Sequence, residues 1–320
     1  AYTLYTWGHK DDGGQAQNDS NTRRSSPTQV GSDTNWAWVS GSTAGGANGA
    51  ALATKDDGTL WSWSKNTQGE CAQNNTNDGY SSPVQIPGTT WTNNFGGKYS
   101  IGGIKTDGTL WAWGVNGYGS IGVNNKTQYS SPVQVPGTNW SLINYTSGDI
   151  SLAIKTDGTL WTWGKNEYGS LGHNNVDVHY SSPVQVPGTD WAKTVPGWND
   201  NRMGAIKTNG ELWMWGANHN GQLGVNNDTD YSSPVQVPGT TWKEVAADAT
   251  TILATKTDGT LWAWGKNEYG QLGQNSSGDN AHKSSPTQIP GTSWSRPFSY
   301  TGGSMYALRT DGSLWAWGYG

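Results

Sequence analysis

The chain has 320 residues, of which 32% are hydrophobic and 13% charged, and its net charge is −5. No apolar run approaches the roughly 18 residues of a membrane-spanning helix, and Arg23-Arg24, the densest basic spot, is no nucleic-acid footprint. The single Cys71 cannot form an internal disulfide, and the start at Ala1 fits a trimmed secretory leader and equally a chain processed or truncated in some other way.

In chain order, three elements recur about every fifty residues, so repeats are settled before anything else. The chain opens inside the first, L-(W/Y)-x-W-(G/S), whose leucines are Leu4, Leu60, Leu110, Leu160, Leu212, Leu261 and Leu314. The second is S-S-P-(V/T)-Q-(V/I), with prolines at 27, 83, 132, 183, 234 and 286. The third is a lone tryptophan opening a strand-like stretch: Trp36, Trp91, Trp140, Trp191, Trp242 and Trp294. Of the 21 tryptophans, only Trp38 and Trp198 fall outside this scheme.

Each unit reads as four short strands, A to D. Strand A follows the lone tryptophan, as in WKEVAA, and strand B is exemplified by ILATKT. An Asp-Gly dipeptide (Asn209-Gly210 in one copy) then predicts a tight hairpin, because its turn needs positive φ at the central positions. Strand C is LWAWG, with Leu261 and Ala263 on one face and Trp262 and Trp264 on the other, so it must be covered on both sides. Strand D carries a proline, which suits an edge and not a sheet centre. Four-stranded units too small to stand alone predict an all-β fold, a β-propeller with indoles filling the gaps between blades. Strands A, B and D occur six times and C seven times. The expectation is one closed propeller domain over 1–320, six-bladed by strand count with a seventh copy of the C strand, and seven blades as the alternative.

The stretch DGTLWAWGKNEYGQLG at 258–273 resembles the repeat of the regulator-of-chromosome-condensation family, and GSIG, GSLG and GQLG continue the pattern at 119–122, 169–172 and 221–224. The first two units depart from it, reading GGQAQ and GECA. The resemblance implies a propeller, usually seven-bladed, and guanine-nucleotide exchange on a small GTPase with chromatin docking. The basic tail and inserted wedge that serve those roles in the family have no counterpart here. It also implies that rim aromatics can block a partner enzyme, as a related propeller does to a β-lactamase.

The copies differ from one another most in the A-to-B connections and in the loops after the Gly-x-Leu-Gly turn. These read either as unconstrained surface loops or as a composite binding rim, since loops on a rigid scaffold usually carry recognition. The A-to-B set is the stronger candidate because it brings aromatic and charged residues into Gly/Ser-rich segments. The candidate rim is Trp198, Asn199, Asp200, Asn201 and Arg202, with Lys98, Tyr99, Asp149, Tyr300 and Met305 in comparable stretches. Catalytic chemistry is not predicted. His9, His173, His179, His219 and His282 lie at no metal-ligand spacing, Cys71 stands where other copies carry Gln or Ser, and NNVDVH and NNDTD lack the order of a calcium loop. No cofactor or metal is expected. The leading expectation is a non-enzymatic adhesion or binding propeller, extracellular or on a virion surface, recognising a protein or glycan. The alternative is a partner-regulating propeller, an exchange factor or enzyme inhibitor. Partners include no nucleic acid and no membrane span, and the odd C strand at each end suggests self-assembly through terminal strands.

Overall fold

The computed structural model describes residues 2–8, 14–18, 24–40, 50–97, 100–146, 149–196, 201–278, 281–300 and 303–319. Among these the architecture is all-β: seven antiparallel sheets, five of them complete, in the β-propeller blade pattern. The first sheet is a pair, β1 (Tyr5–Gly8) and β2 (Arg24–Gln29). The complete sheets follow. They are β3 (Trp36–Ser40), β4 (Ala50–Lys55), β5 (Leu60–Lys65) and β6 (Gly79–Gln85); then β7 (Trp91–Gly96), β8 (Ser100–Lys105), β9 (Leu110–Gly114) and β10 (Tyr129–Gln134). Next come β11 (Trp140–Tyr145), β12 (Ile150–Lys155), β13 (Leu160–Gly164) and β14 (Tyr180–Gln185); then β15 (Trp191–Pro196), β16 (Arg202–Lys207), β17 (Leu212–Gly216) and β18 (Tyr231–Gln236). The fifth is β19 (Trp242–Ala247), β20 (Thr251–Lys256), β21 (Leu261–Gly265) and β22 (Lys283–Ile289). The last sheet has three strands, β23 (Trp294–Tyr300), β24 (Ser304–Arg309) and β25 (Leu314–Gly318). The first sheet is a C–D pair and the last an A–B–C triplet, so six A, B and D strands and seven C strands are all placed.

Compactness divides the chain into two units, the first comprising 1–156, 161–165 and 179–184, the second 157–160, 166–178 and 185–320. The same repeat chemistry builds each. In the first unit Trp113 donates its indole N–H to the carbonyl of Glu70 at 2.8 Å and Trp163 to that of Ser120 at 2.8 Å. In the second, Trp215, Trp264 and Trp317 reach the carbonyls of Ser170, Gln222 and Gln271 at 2.8, 3.0 and 2.7 Å. The second indole of these motifs therefore bonds to the turn of the preceding repeat, which satisfies a buried donor and ties sheet to sheet.

The first indole has a local role. Trp61, Trp111 and Trp262 donate to Thr59, Thr109 and Thr260 in their own hairpins at 2.9, 2.9 and 2.8 Å. Between this indole and the lone tryptophan of strand A lies the last cation of strand B. Lys55, Lys105, Lys155, Lys207, Lys256 and Arg309 each lie within cation–π distance of both rings, as at 4.5 Å from Trp242 and 4.6 Å from Trp262 for Lys256.

A buried asparagine closes the C-to-D turn of each complete sheet. Asn66, Asn116, Asn218 and Asn267 accept the N–H of Cys71, Ile121, Leu223 and Leu272, and donate to the carbonyl nine residues ahead. The Ser-Ser-Pro and Asn-Asn motifs form a second tie between repeats. Asn226, in left-handed backbone at φ 62, donates its N–H to Ser284 O at 2.7 Å and accepts the hydroxyl of Ser285 at 3.1 Å. Asn74, Asn124 and Asn174 do the same to Ser130–Ser131, Ser181–Ser182 and Ser232–Ser233. The loop after Gly-x-Leu-Gly, read from the sequence either as unconstrained or as part of a binding rim, begins with a fixed latch residue.

Candidate functional site

In the second unit an open hollow of about 400 Å³ lies where three turns converge: the β19–β20 connection (Asp248–Thr250), the segment after β21 (Lys266–Gln271), and Gly303 before β24, with Tyr319 beyond β25. Strand pairing sets these turns. The N–H of Lys266 bonds to Thr250 O at 3.0 Å, the hydroxyl of Thr251 to Lys266 O at 2.9 Å, and the N–H of Tyr319 to Gly303 O at 3.2 Å. Gln271 accepts the N–H of Tyr269 at 2.8 Å, fixing the tyrosine's backbone.

Two exposed aromatics stand at this hollow. Tyr269 and Tyr319 meet edge to face, their ring centroids 4.9 Å apart. Lys266 and Glu268 form an ion pair beside them, and the hydrogen bond from Lys266 holds the Glu268 carboxyl below its ordinary range. Beneath lies Arg202, whose guanidinium donates to the carbonyls of Asp248 and Ala249. Arg202 and Asp248 are each 3% exposed. Burial pushes Arg202 down to about 10 and raises the Asp248 carboxyl, since each charge loses water that its partner only partly replaces. Arg202 thus fastens the β19–β20 connection to the start of β16.

The pattern of an aromatic in the C-to-D turn recurs. Tyr118, in the first unit, meets His179 edge-on at 5.1 Å, with the Lys165 ammonium 5.2 Å from its ring. In the second unit Tyr168, held at φ 54, meets His219 at 5.4 Å. Tyr118, Tyr168 and Tyr269 are 37%, 39% and 46% exposed, which is wasteful for core residues and apt for recognition. Sequence reasoning missed them because the motif reads as a turn. The signal is the aromatic itself, placed between the turn's Asn and Gly where no core position exists.

Of the rim candidates, Arg202 is structural in placement, and Met305 is fully buried in the core of the last sheet, so it is not on a rim. Asp149 (φ 71) uses its carbonyl to accept the N–H of Lys165 at 3.0 Å. Asn201, half-buried, bonds through its carbonyl to the N–H of Ala217 at 2.5 Å. Tyr300 ends β23, its backbone paired with Ser304, and its side chain lies outside the described residues. Lys98, Tyr99, Trp198, Asn199 and Asp200 also lie outside them. Among the described residues no group of three or more His, Cys, Asp or Glu is placed to hold a metal. No described helix is long and apolar enough to cross a membrane. Cys71 does not occupy the Gln or Ser position expected of it: it takes the place of Ile121, Leu171, Leu223 and Leu272, its N–H bonded to Asn66 as theirs are to the equivalent asparagines, and it is buried, its thiol pushed up to about 12 by desolvation.

The sequence profile of the regulator of chromosome condensation (RCC1) repeat matches residues 107–144, 157–195, 209–250 and 258–306, together just over half of the chain. Human WBSCR16 is similar in structure, with a TM-score of 0.78 at 17% identity over 99% of this chain and 88% of that one. Prp20p from Saccharomyces cerevisiae, described with its binding to Gsp1p and histones, gives 0.77 at 17% identity over 99% and 80%. Yeast RCC1 (Prp20) bound to Kap60 gives 0.76 at 17% identity over 99% and 78%. Likeness at this identity shows the fold alone. No curated protein sequence matches the chain. The family match runs against the expected extracellular or virion-surface setting and against adhesion: the repeats are those of a regulator of chromosome condensation, and the similar Prp20p is described with Gsp1p and histones.

Proposed function

The chain belongs to the regulator of chromosome condensation repeat family, and from that premise we propose that it is a non-enzymatic propeller that binds and regulates a protein partner. Relatives of the same fold are described as binding proteins: Gsp1p and histones for Prp20p, Kap60 for yeast RCC1. The observation that carries the reading is the hollow in the second unit, where Tyr269, Tyr319, Lys266 and Glu268 are presented on turns that Arg202 and Asn267 hold from below. Tyrosines backed by fixed turns supply contact area at low entropic cost, and a charged pair at their edge supplies orientation.

The test is quantitative affinity capture with the intact chain against a Tyr269→Ala/Tyr319→Ala double variant, followed by reconstitution. A partner retained by the intact chain and weakened at least about tenfold by the variant is expected, since each such aromatic anchor is worth about 1–2 kcal/mol or more. Its activity should change when the complex is reconstituted. Partners bound equally by both proteins would exclude this surface. Guanine-nucleotide exchange is a second reading, favoured by the Gsp1p binding described for Prp20p. Release of a fluorescent guanine nucleotide from a small GTPase tests it, and an unchanged release rate at saturating chain rejects it.

A further inference from the structure

We propose that a cavity beside the β2–β3 connection is a receptor for a Pro-Gly turn presented by another protein. This goes beyond the partner site above and lies in the first unit of the chain. The β2–β3 connection is anchored as the β6–β7 connection is. At its start the N–H of Val30 bonds to Leu4 O at 2.8 Å, as that of Ile86 does to Leu60 O at 2.8 Å. At its end Asn35 O accepts the N–H of Asp56 at 2.9 Å, as Thr90 O accepts that of Thr106 at 2.8 Å. Between these anchors β6–β7 and the four later connections of this kind carry Pro-Gly-Thr, whereas β2–β3 carries Gly-Ser-Asp-Thr, one residue longer and without proline. The extra residue has to loop outward, because the ends are fixed.

Each Pro-Gly turn sits on the strand A tryptophan or on the cation against it. A Cβ placed on Gly88, Gly137, Gly188, Gly239 or Gly291 would lie 3.3, 3.3, 3.5, 3.1 or 3.2 Å from Lys105, Lys155, Trp191, Lys256 or Arg309. A Cβ on Gly31 would meet nothing within 4 Å. Asp33 stands where the other turns have that glycine, and its carboxylate lies 2.8 Å from the Lys55 ammonium. The turn therefore stands off its indoles, and a cavity of about 360 Å³ opens, lined by Val30, Gly31, Asp33, Trp36, Trp61 and Pro83 among others.

The walls select the occupant. Trp36 and Trp61, edge to face with centroids 6.3 Å apart, join Val30 and Pro83 in an apolar lining. The polar groups at the cavity are engaged with their neighbours. Asn18 accepts the hydroxyl of Ser82 at 3.3 Å, Gln17 donates to Thr28 O and Gln29 O at 3.3 and 2.9 Å, and Asp33 is paired with Lys55. A charged or hydroxyl-rich ligand would have to break these bonds to satisfy its own groups. A proline ring would not: it has no N–H to satisfy, and its fixed φ leaves little entropy to lose against an aromatic wall. Glycine after it allows the close approach to indole and cation seen in the five covered copies. Those five turns are each seated within their own repeat, so the turn that fills this cavity comes from another protein.

The experiment titrates the full chain, labelled with nitrogen-15, with the peptide acetyl-Gln-Val-Pro-Gly-Thr-Thr-amide. It follows the indole N–H signals of Trp36 and Trp61, identified from Trp36→Phe and Trp61→Phe chains. Saturable shifts centred on those two signals are expected, with a dissociation constant on the order of 1 mM for so few contacting atoms. Alanine in place of the peptide's proline withdraws about two methylenes from the indoles and should weaken binding about tenfold. Replacing Gly31-Ser32-Asp33 with Pro-Gly recreates the Val-Pro-Gly-Thr-Asn-Trp of residues 135–140. That chain, its fold checked by an unaltered circular dichroism spectrum, should no longer respond to the peptide. The Tyr269→Ala/Tyr319→Ala variant should bind the peptide as the parent does, so this site and the partner site fail separately. No saturable shift, equal binding of the alanine peptide, or binding retained after the loop replacement would overturn the proposal. So would larger shifts with glucose than with the peptide, which would give the cavity to a sugar, or self-association lost on loop replacement, which would give it to a second copy.

Discussion

Replacing Trp264 with Phe probes the tie between repeats. Trp264 is fully buried, donates to Gln222 O at 3.0 Å and meets Trp242 at a centroid distance of 5.7 Å. The substitution leaves that carbonyl buried without its donor, at a cost of about 1–3 kcal/mol. The lost ring leaves a void on the order of 40 Å³, adding about 1 kcal/mol at roughly 24 cal/mol per Å³. The expected loss is about 2–4 kcal/mol. Trp262→Phe is the comparison: its indole bonds at 2.8 Å to a threonine in its own half-exposed hairpin, and water can take over that bond. Its cost should be about 0.5–1.5 kcal/mol. Urea unfolding followed by far-UV circular dichroism reads both, through midpoints at a shared slope. Equal midpoints, or a larger loss for Trp262→Phe, would refute the distinct roles given to the two indoles.

Three further outcomes follow from the same geometry. Cys71, protonated up to about pH 12, should resist iodoacetamide at pH 8 in the folded chain and react at once in urea; modification under native conditions would contradict its burial. The carboxyls of Asp57, Asp107, Asp258 and Asp311 are held below their ordinary range by hydrogen bonds from Thr59, Thr109, Thr260 and Ser313. Their folded values lie below the unfolded ones, so their stabilisation is present above the ordinary carboxylate range, about pH 4, and is lost as pH falls through the folded values. Substituting all four with Asn should flatten the acid limb of melting temperature against pH while keeping the turns, because Asn209 already accepts the N–H of Glu211 at 3.0 Å. An unchanged acid limb would argue against the linkage. Arg202→Met should cost about 3–5 kcal/mol, since it strips the buried Asp248 carboxylate of its cation and two carbonyls of their donor; a urea midpoint within error of the parent would show the fastener to be dispensable.

The sheets were legible in the sequence because each strand is written six or seven times with the same alternation and the same turn dipeptide, so chance variation in any copy is averaged away. The partners of the indoles were not legible, because Trp264 and the carbonyl of Gln222 are some forty residues apart and a carbonyl leaves no mark in a sequence. The latch shows the same limit. Asn226 and Ser285 recur faithfully, yet nothing in one strand announces a bond to a hydroxyl on another. For the site, variability among copies pointed toward the A-to-B turns and to Arg202, which does reach the β19–β20 connection. It also pointed to Met305, which the alternation of β24 turns inward. Tyr118, Tyr168 and Tyr269 escaped notice because they sit inside a recurring turn, and search by difference passes over what repeats.

Each latch is split between two repeats: one contributes the left-handed asparagine, and its successor contributes the paired serines. A unit copied in tandem carries a donor half at its tail and an acceptor half at its head. A newly inserted copy therefore meets both neighbours with joints already matched, and no compensating mutation is needed anywhere else. Growth or shrinkage of the array by whole units would leave every such joint with both of its halves.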